Sequence, residues 1–394
     1  MENMLSGIKV VDLTRNLSGP YCTMLLADMG ADVVKIETPT IGDDTRKAAP
    51  FYNGESAYFM SVNRGKKSMT LNLKATEGKE ILRKMIQRGD IFIENNRPGV
   101  MERLGFDYKT VAEINPGIIY ASISGFGQSG PYKDKGAYDL VVQCLGGSMS
   151  ITGNPGEEPV RVGYSIGDIA AGMFAIAGIL GALHVRDKTG KGQYLDIAML
   201  DSQVAILENA IVRYSTTGQI PQPLGTRHPS FTPFQLYMAT DGYFAVCVVN
   251  DKQFKTLCEV LDLEQLIDDA SFISSAQRTK NNKELNDILE VKFKSKQKDK
   301  WMELLEKVGI PCGIVNNIRD VIESPQVKAR NMIVEVEHPV AGKVKIAGNP
   351  IKATLTPPSV QGPAPTLGQD TENVLKEIGY APEEINRLRT KGIV

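Results

Sequence analysis

The stretch VGYSIGDIAAG at 162–172 sets a single acid, Asp168, just inside a long run of small and apolar residues. A carboxylate at the start of a helix has two uses. With Ser165 it makes the S-x-x-D spacing of a capping box, in which both side chains satisfy free N–H groups of the first turn. The same helix terminus favours the ionised form and keeps it available as a nucleophile. On pattern alone the cap is the simpler reading, and the local sequence leaves both open.

Other chemistries find less material. Three histidines (184, 228 and 338) are little to build a histidine triad or a metal site from, and Walker A, HExxH and GxSxG patterns are absent. Five cysteines (22, 144, 247, 258 and 312) are scattered, odd in number and without CxxC spacing. Neither a disulfide framework nor a zinc site is expected from them, and a cytoplasmic location fits best. Lys+Arg 45 against Asp+Glu 46 leaves a formal charge of -1, so no global field favours nucleic acid or an anionic membrane. The first residues, MENMLSGIKVVDL, lack a basic segment followed by an apolar run, so no signal peptide is expected. IAAGMFAIAGILGAL (169–183) is shorter than the ~20 residues of a membrane span and is bracketed by Asp168 and His184. It reads as a buried helix, and no membrane segment is expected.

The elements that must position Asp168 follow from periodicity. Strands are expected at 8–13, 32–37, 68–73, 90–95 and 118–124, with helices at 20–30 and 75–89. This alternation predicts an open, Rossmann-like α/β domain with a mostly parallel sheet. Glu37 ends the second strand where a ribose-binding acid would sit, but the first βα turn, TRNLSGP, lacks GxGxxG, which argues against a dinucleotide. A Pro/Gly-rich passage (216–233), a hairpin about Asp241–Gly242, charged helices over 251–308, a hairpin at 333–348, a second Pro-rich run (357–370) and a terminal helix near 370–390 complete the pattern.

Ordered blocks along nearly the whole chain carry a family resemblance: GIKVVDLTRNLSGPYCTMLLADMGADVVKIE, GDDTR (42–46), NRGKKSMTLNLK (63–74), ENNRPGVMERLG (94–105), SGFGQSGPY (124–132), AYDLVVQCLGG (137–147), KTGKGQYLDIAMLD (188–201) and GIPCGIVNN (309–317). The chain resembles the class III coenzyme A transferases, whose members include formyl-CoA transferase and, as a divergent branch, alpha-methylacyl-CoA racemase. In that family the aspartate matching Asp168 is the covalent catalyst. The resemblance implies a CoA site lined by Leu17, Ser18, Leu71, Asn72, Lys74, Asn95, Asn96, Arg97, Arg103 and the Gly136–Ala137–Tyr138 turn, with CoA and acyl-CoA as substrates and no permanently bound cofactor or metal. Each of Arg64, Lys66, Lys67 and Lys74, taken singly, is more simply a solvated surface charge. Thr38 stands where some relatives have an arginine against the nucleotide.

The racemase branch has a histidine where this chain has Tyr138, and a group of pKa ~10 is a poor base near neutrality. Transfer is therefore expected ahead of racemisation, with a CoA-binding protein without turnover as the third reading. The blocks GDDTR, ESAYFMSVNRGKKS and GTRHPSFTPFQLY most resemble the succinate-hydroxymethylglutarate type, which implies a dicarboxylate acceptor such as succinate or glutarate. Arg46, Arg227 and His228 are the candidates to meet its distal carboxylate. The expected layout is a large domain over 1–200 completed by 345–394, a small α+β domain over 225–325, and linkers at 201–224 and 326–344. The resemblance also implies an interlocked homodimer.

Overall fold

The computed structural model describes residues 3–394. Six strands form one parallel sheet: β1 (Lys9–Asp12), β2 (Asp32–Glu37), β3 (Lys67–Thr70), β4 (Ile91–Glu94), β5 (Ile119–Ser124) and β6 (Tyr194–Ala198), in the order β3-β2-β1-β4-β5-β6. The sheet is covered on both faces, which is why its strands are apolar at successive positions. Val11, Val34, Ile36 and Phe92 pack with Ile81, Leu82, Met85 and Ile86 of one helix and with Leu375, Ile385 and Leu388 near the carboxyl terminus. Val10, Val33, Ile91, Ile93, Ile119 and Ala121 face the other way, onto Cys22, Leu26, Ala171, Ala175 and Ile179. The helices of this second layer are α1 (Ser18–Asp28) and α2 (Ile166–Thr189). By length and composition α2 is able to cross a membrane, but half of its most apolar window is buried inside the protein, against α1 and the sheet.

The chain divides into two compact units. The larger holds residues up to Met149, Arg161–Thr217 and Pro325–Val394; the smaller holds Ser150–Val160 with Gly218–Ser324. Of the stretches 201–224 and 326–344 expected as linkers, residues up to 217 of the first and all of the second fall in the larger unit and hold regular elements, while 218–224 fall in the smaller unit. Helices occupy Met199–Ala205 and Ala210–Thr217, and alternating residues pair Ile333–His338 with Gly342–Ala347 as an antiparallel hairpin. β6 was not among the expected strands, because its five residues lie between a charged turn and a helix.

In the smaller unit an antiparallel sheet (Phe234–Met238, Tyr243–Cys247, Cys312–Ile314) packs against helices around Tyr237, Phe244, Phe293 and Trp301. The Trp301 indole N–H donates to the Phe293 carbonyl at 2.7 Å, so the large ring is buried without an unpaired donor. The five cysteines are free.

Candidate active site

Strand order reverses at β1, where β2 and β4 flank it on opposite sides, and an open parallel sheet leaves its crevice at such a point, outside the carboxyl ends of the strands. Two clefts lie there. One, of about 430 Å³, is lined by the turns after β1 (Asn16, Leu17, Ser18), β4 (Asn95, Asn96, Arg97) and β5 (Ser124, Gly125), and by Asp168. The other, of about 620 Å³, is lined by the turns after β1, β2 and β3, including Arg15, Thr38, Leu71, Asn72 and Lys74. Asn96 lines both.

Asp168 lies in the first turn of α2, half-buried. Ser165 makes no side-chain hydrogen bond to the helix start, so the capping box does not form. The cap comes from elsewhere. Asp139, buried at the start of a short helix (Asp139–Leu145), accepts the Gly167 N–H at 2.9 Å and Gln143 Nε2 at 2.7 Å. Asp168 is thereby left to the cleft. Burial, and secondarily the charge of Asp139, pushes its carboxyl up to about 7, opposed by the hydroxyl and backbone N–H of Ser18. Ser18 opens α1, so the acid faces the positive end of a second helix. This approach depends on Gly172, one turn along α2: a Cβ there would lie 2.8 Å from the Ser18 carbonyl oxygen.

The turn that carries Ser18 is fixed from two sides. Asn95 accepts the Arg15 N–H and donates to the Arg15 carbonyl, both at 2.7 Å. Beneath it, Asp12 receives Thr14 and Thr23, Lys35 donates to the Thr14 carbonyl at 2.7 Å and pairs with Asp43 at 2.8 Å, and Lys66 stands 3.5 Å from Asp12. Burial lowers the Lys66 ammonium to about 7 despite the pull of Asp12. Burial raises Asp12, yet Lys66 and Lys35 together bring it below the usual carboxylate range.

These contacts correct several expectations. Arg64 and Lys66 are buried, not solvated: Arg64 is paired with Asp28 at 2.7 Å. Lys67 half-faces solvent beside Asp32, and Lys74 is exposed. Arg46 is not free to meet a substrate, because it grips Glu37 through two 2.7 Å bonds and stacks over Phe59 at 3.6 Å. Glu37 is correspondingly a buried partner of Arg46 and Ser68, not a ribose ligand. Arg227 and His228 belong to the smaller unit, where His228 stacks between Phe231 and Phe234.

Of the expected CoA residues, Leu17, Ser18, Asn95, Asn96, Arg97, Ala137 and Tyr138 line the first cleft, and Leu71, Asn72, Lys74 and again Asn96 the second. Gly136 sits against Arg97, and Arg103 beside Gly99, outside both linings. Sequence reasoning missed Tyr58, Lys133, Lys135, Asp139 and Arg161, all in the first cleft. Lys133 and Lys135 fall between two of the matching blocks, which was the available signal. Asp139 lies within the AYDL block, which was its signal, whereas Arg161 carried none, since what brings it to Asp168 is tertiary. No histidine lines the cleft, and among the described residues no group of three or more His, Cys, Asp or Glu could hold a metal.

The fold is an open, doubly wound α/β sheet with basic, asparagine-bearing clefts at its switch point, the place where such sheets bind their ligands. The chain belongs to CoA-transferase family III (the CaiB/BaiF family), whose sequence model matches residues 5–371. It is 40% identical over 392 residues to the human succinyl-CoA:glutarate CoA-transferase, covering 99% of this chain and 90% of that one. It is 41% identical over 379 residues to the acetyl-CoA:oxalate CoA-transferase of Acetobacter aceti, covering 96% of each. A CaiB/BaiF family protein from Brucella suis superimposes with a TM-score of 0.86 at 36% identity, over 96% of this chain and all of that one. CoA thioesters are the substrates of this family.

Proposed function

We propose that the protein moves coenzyme A from an acyl-CoA donor to a dicarboxylic acid, with Asp168 as the covalent catalyst. The observation that carries this is the Asp168 carboxyl, uncapped and half-buried in the 430 Å³ cleft, with its pKa raised to about 7. A carboxylate whose charge is poorly stabilised is the stronger nucleophile, and near neutrality half of it is ionised.

Asp168 attacks the donor thioester carbonyl, the C–S bond breaks, and a mixed anhydride and CoA thiolate result. The thiolate attacks the aspartyl carbonyl, releasing the donor acid and leaving an aspartyl-CoA thioester. The acceptor carboxylate attacks that thioester to give a second anhydride and free thiolate. The thiolate then takes the acceptor acyl group and restores Asp168. No water enters, and the acyl potential is kept throughout, because an anhydride is readily attacked where a serine ester would not be. Absence of a histidine from the cleft lining supports transfer over racemisation. The human and Acetobacter relatives are named for glutarate and oxalate, which supports a dicarboxylate acceptor. The test is a mass spectrum of protein incubated with succinyl-CoA, digested and scanned for a succinyl or CoA adduct on the peptide holding Asp168. An unmodified peptide with turnover present would overturn the covalent role.

We further infer a homodimer. Exposed apolar side chains on two contacting helices of the larger unit support it: Met173 and Phe174 of α2, and Leu140, Val141 and Leu145 of the Asp139–Leu145 helix.

A further inference from the structure

Glu94 ends β4 and is buried, in register with Ser122 of β5, which is in register with Asp196 of β6. Three neighbouring strands thus carry a row of polar residues in register, at the end of β4 and two residues before the ends of β5 and β6, level with the start of the Asn95–Asn96–Arg97 turn. One Glu94 carboxyl oxygen accepts the Asn96 backbone N–H at 2.7 Å and Asn96 Nδ2 at 3.2 Å, and the other accepts the Ser122 hydroxyl. Ser122 in turn receives Gln128 Nε2 at 2.9 Å, and the Gln128 N–H donates to Asp196 at 3.0 Å. Gln128 lies in the turn that leads to Lys133, Lys135 and Tyr138. One unbroken chain of hydrogen bonds therefore ties together two turns that border the cleft. Glu94 itself lines neither cleft; it opens on a separate cavity of about 240 Å³ with Ser122, Gln128 and Tyr194.

We propose that Glu94 is a positioning residue for coenzyme A: it aims Asn96 into the two clefts and, through Ser122 and Gln128, sets the spacing between the turns that would hold the ligand. This rests on the CoA site proposed above. Asn96 donates twice to one oxygen and the Ser122 hydroxyl donates to the other, so an isosteric amide would have to keep its carbonyl on Asn96 and turn its NH2 to Ser122, whose hydroxyl proton would then lose its acceptor. Burial raises the Glu94 carboxyl while Ser122 and Asn96 oppose the rise, as expected of a buried acid surrounded by donors.

The experiment measures CoA binding by calorimetry together with steady-state kinetics. Wild-type protein is titrated first; failure to bind CoA would count against the proposed function and not against Glu94. Glu94→Gln is expected to raise the Kd for CoA and the KM for the acyl-CoA donor about tenfold or more at unchanged kcat. In an Asn96→Ala background the same change is expected to add little, since its effect runs through Asn96. Wild-type affinity in Glu94→Gln, a loss confined to kcat, or full additivity with Asn96→Ala would overturn the proposal. Should Glu94→Gln fail to fold, Glu94→Asp keeps the carboxyl but withdraws it by one methylene. Weaker CoA binding at unchanged kcat supports the role there, and unchanged affinity overturns it.

Discussion

The Gly167 N–H donates to Asp139 at 2.9 Å, so the helix that carries Asp168 is capped by a different acid, two residues into the AYDL block. Asp139 thereby does two things to its neighbour. It removes the need for Asp168 to cap, and its charge helps raise the Asp168 carboxyl. The first half-reaction needs Asp168 ionised, so kcat/KM for the donor is expected to rise with pH through about 7. Asp139→Asn keeps an oxygen for Gly167 and removes the charge. Its acid limb is expected to move to lower pH, checked by a pH profile of acyl-CoA consumption; an unmoved limb would dissociate Asp139 from the titration.

Asp168 also leaves a signature in stability. At low pH the folded and unfolded chains both hold its proton. As the pH climbs from the ordinary aspartate value of 3.8 to about 7, the unfolded chain loses that proton while the folded one keeps it, so this group's contribution to stability falls and is lowest above that window. Asp168→Asn is therefore expected to melt a few degrees higher than wild type at pH 8, on the order of 3 °C, with the gain shrinking toward pH 4. Transfer in the same variant should fall by about 10³-fold or more. Thermal scans at the two pH values check the first; a lower Tm at pH 8 would restore a capping role.

Gly172→Ala tests how α1 and α2 meet. Alanine improves helix propensity by roughly 1 kcal/mol. Its Cβ would nonetheless stand 2.8 Å from the Ser18 carbonyl oxygen, a backbone atom that moves only with α1. Overpacking of this kind costs about 1–3 kcal/mol. The clash is expected to win, with a lower Tm and a lower kcat as Ser18 withdraws from Asp168. A stabilised and fully active variant would show that α1 yields freely.

Arg46 and Arg227 separate structure from specificity. Arg46 is paired with Glu37 and largely buried, so Arg46→Met leaves an uncompensated buried acid, at a cost of about 3–5 kcal/mol. It should destabilise the fold without altering the choice of acid. With succinyl-CoA as donor, glutarate is expected to be used roughly tenfold to a hundredfold better than pentanoate, the worth of one charge-assisted bond. Arg227→Met is expected to narrow that ratio. Chromatography of the CoA esters reads both; equal use of the two acids would remove the dicarboxylate preference and leave transfer standing.

Much of the protein was legible in its residues taken in order. Short, near-continuous apolar runs such as IKVVDL and DIFIEN, alternating with helical ones, are enough to call for a parallel sheet. The absence of GxGxxG after β1 was enough to turn away from a dinucleotide. Asp168 stood out because an acid in so apolar a run needs a reason. What the order of residues did not reveal was the state of each charge. Arg64, Lys66 and Arg46 look like surface cations in a string of letters, and only the fold brings Asp28, Asp12 and Glu37 against them. Ser165 and Asp168 have the spacing of a cap, yet Asp139 supplies it from 28 positions away, a separation that no local pattern encodes. The same holds for Glu94, whose partners lie on a neighbouring strand and in the turn that follows its own. Local backbone preference and hydrophobic periodicity are properties of short segments, so sequence alone determined most of the strands and helices, though not β6, and the candidate acid. Burial and charge pairing are sums over segments remote in the chain, and these the tertiary structure decided.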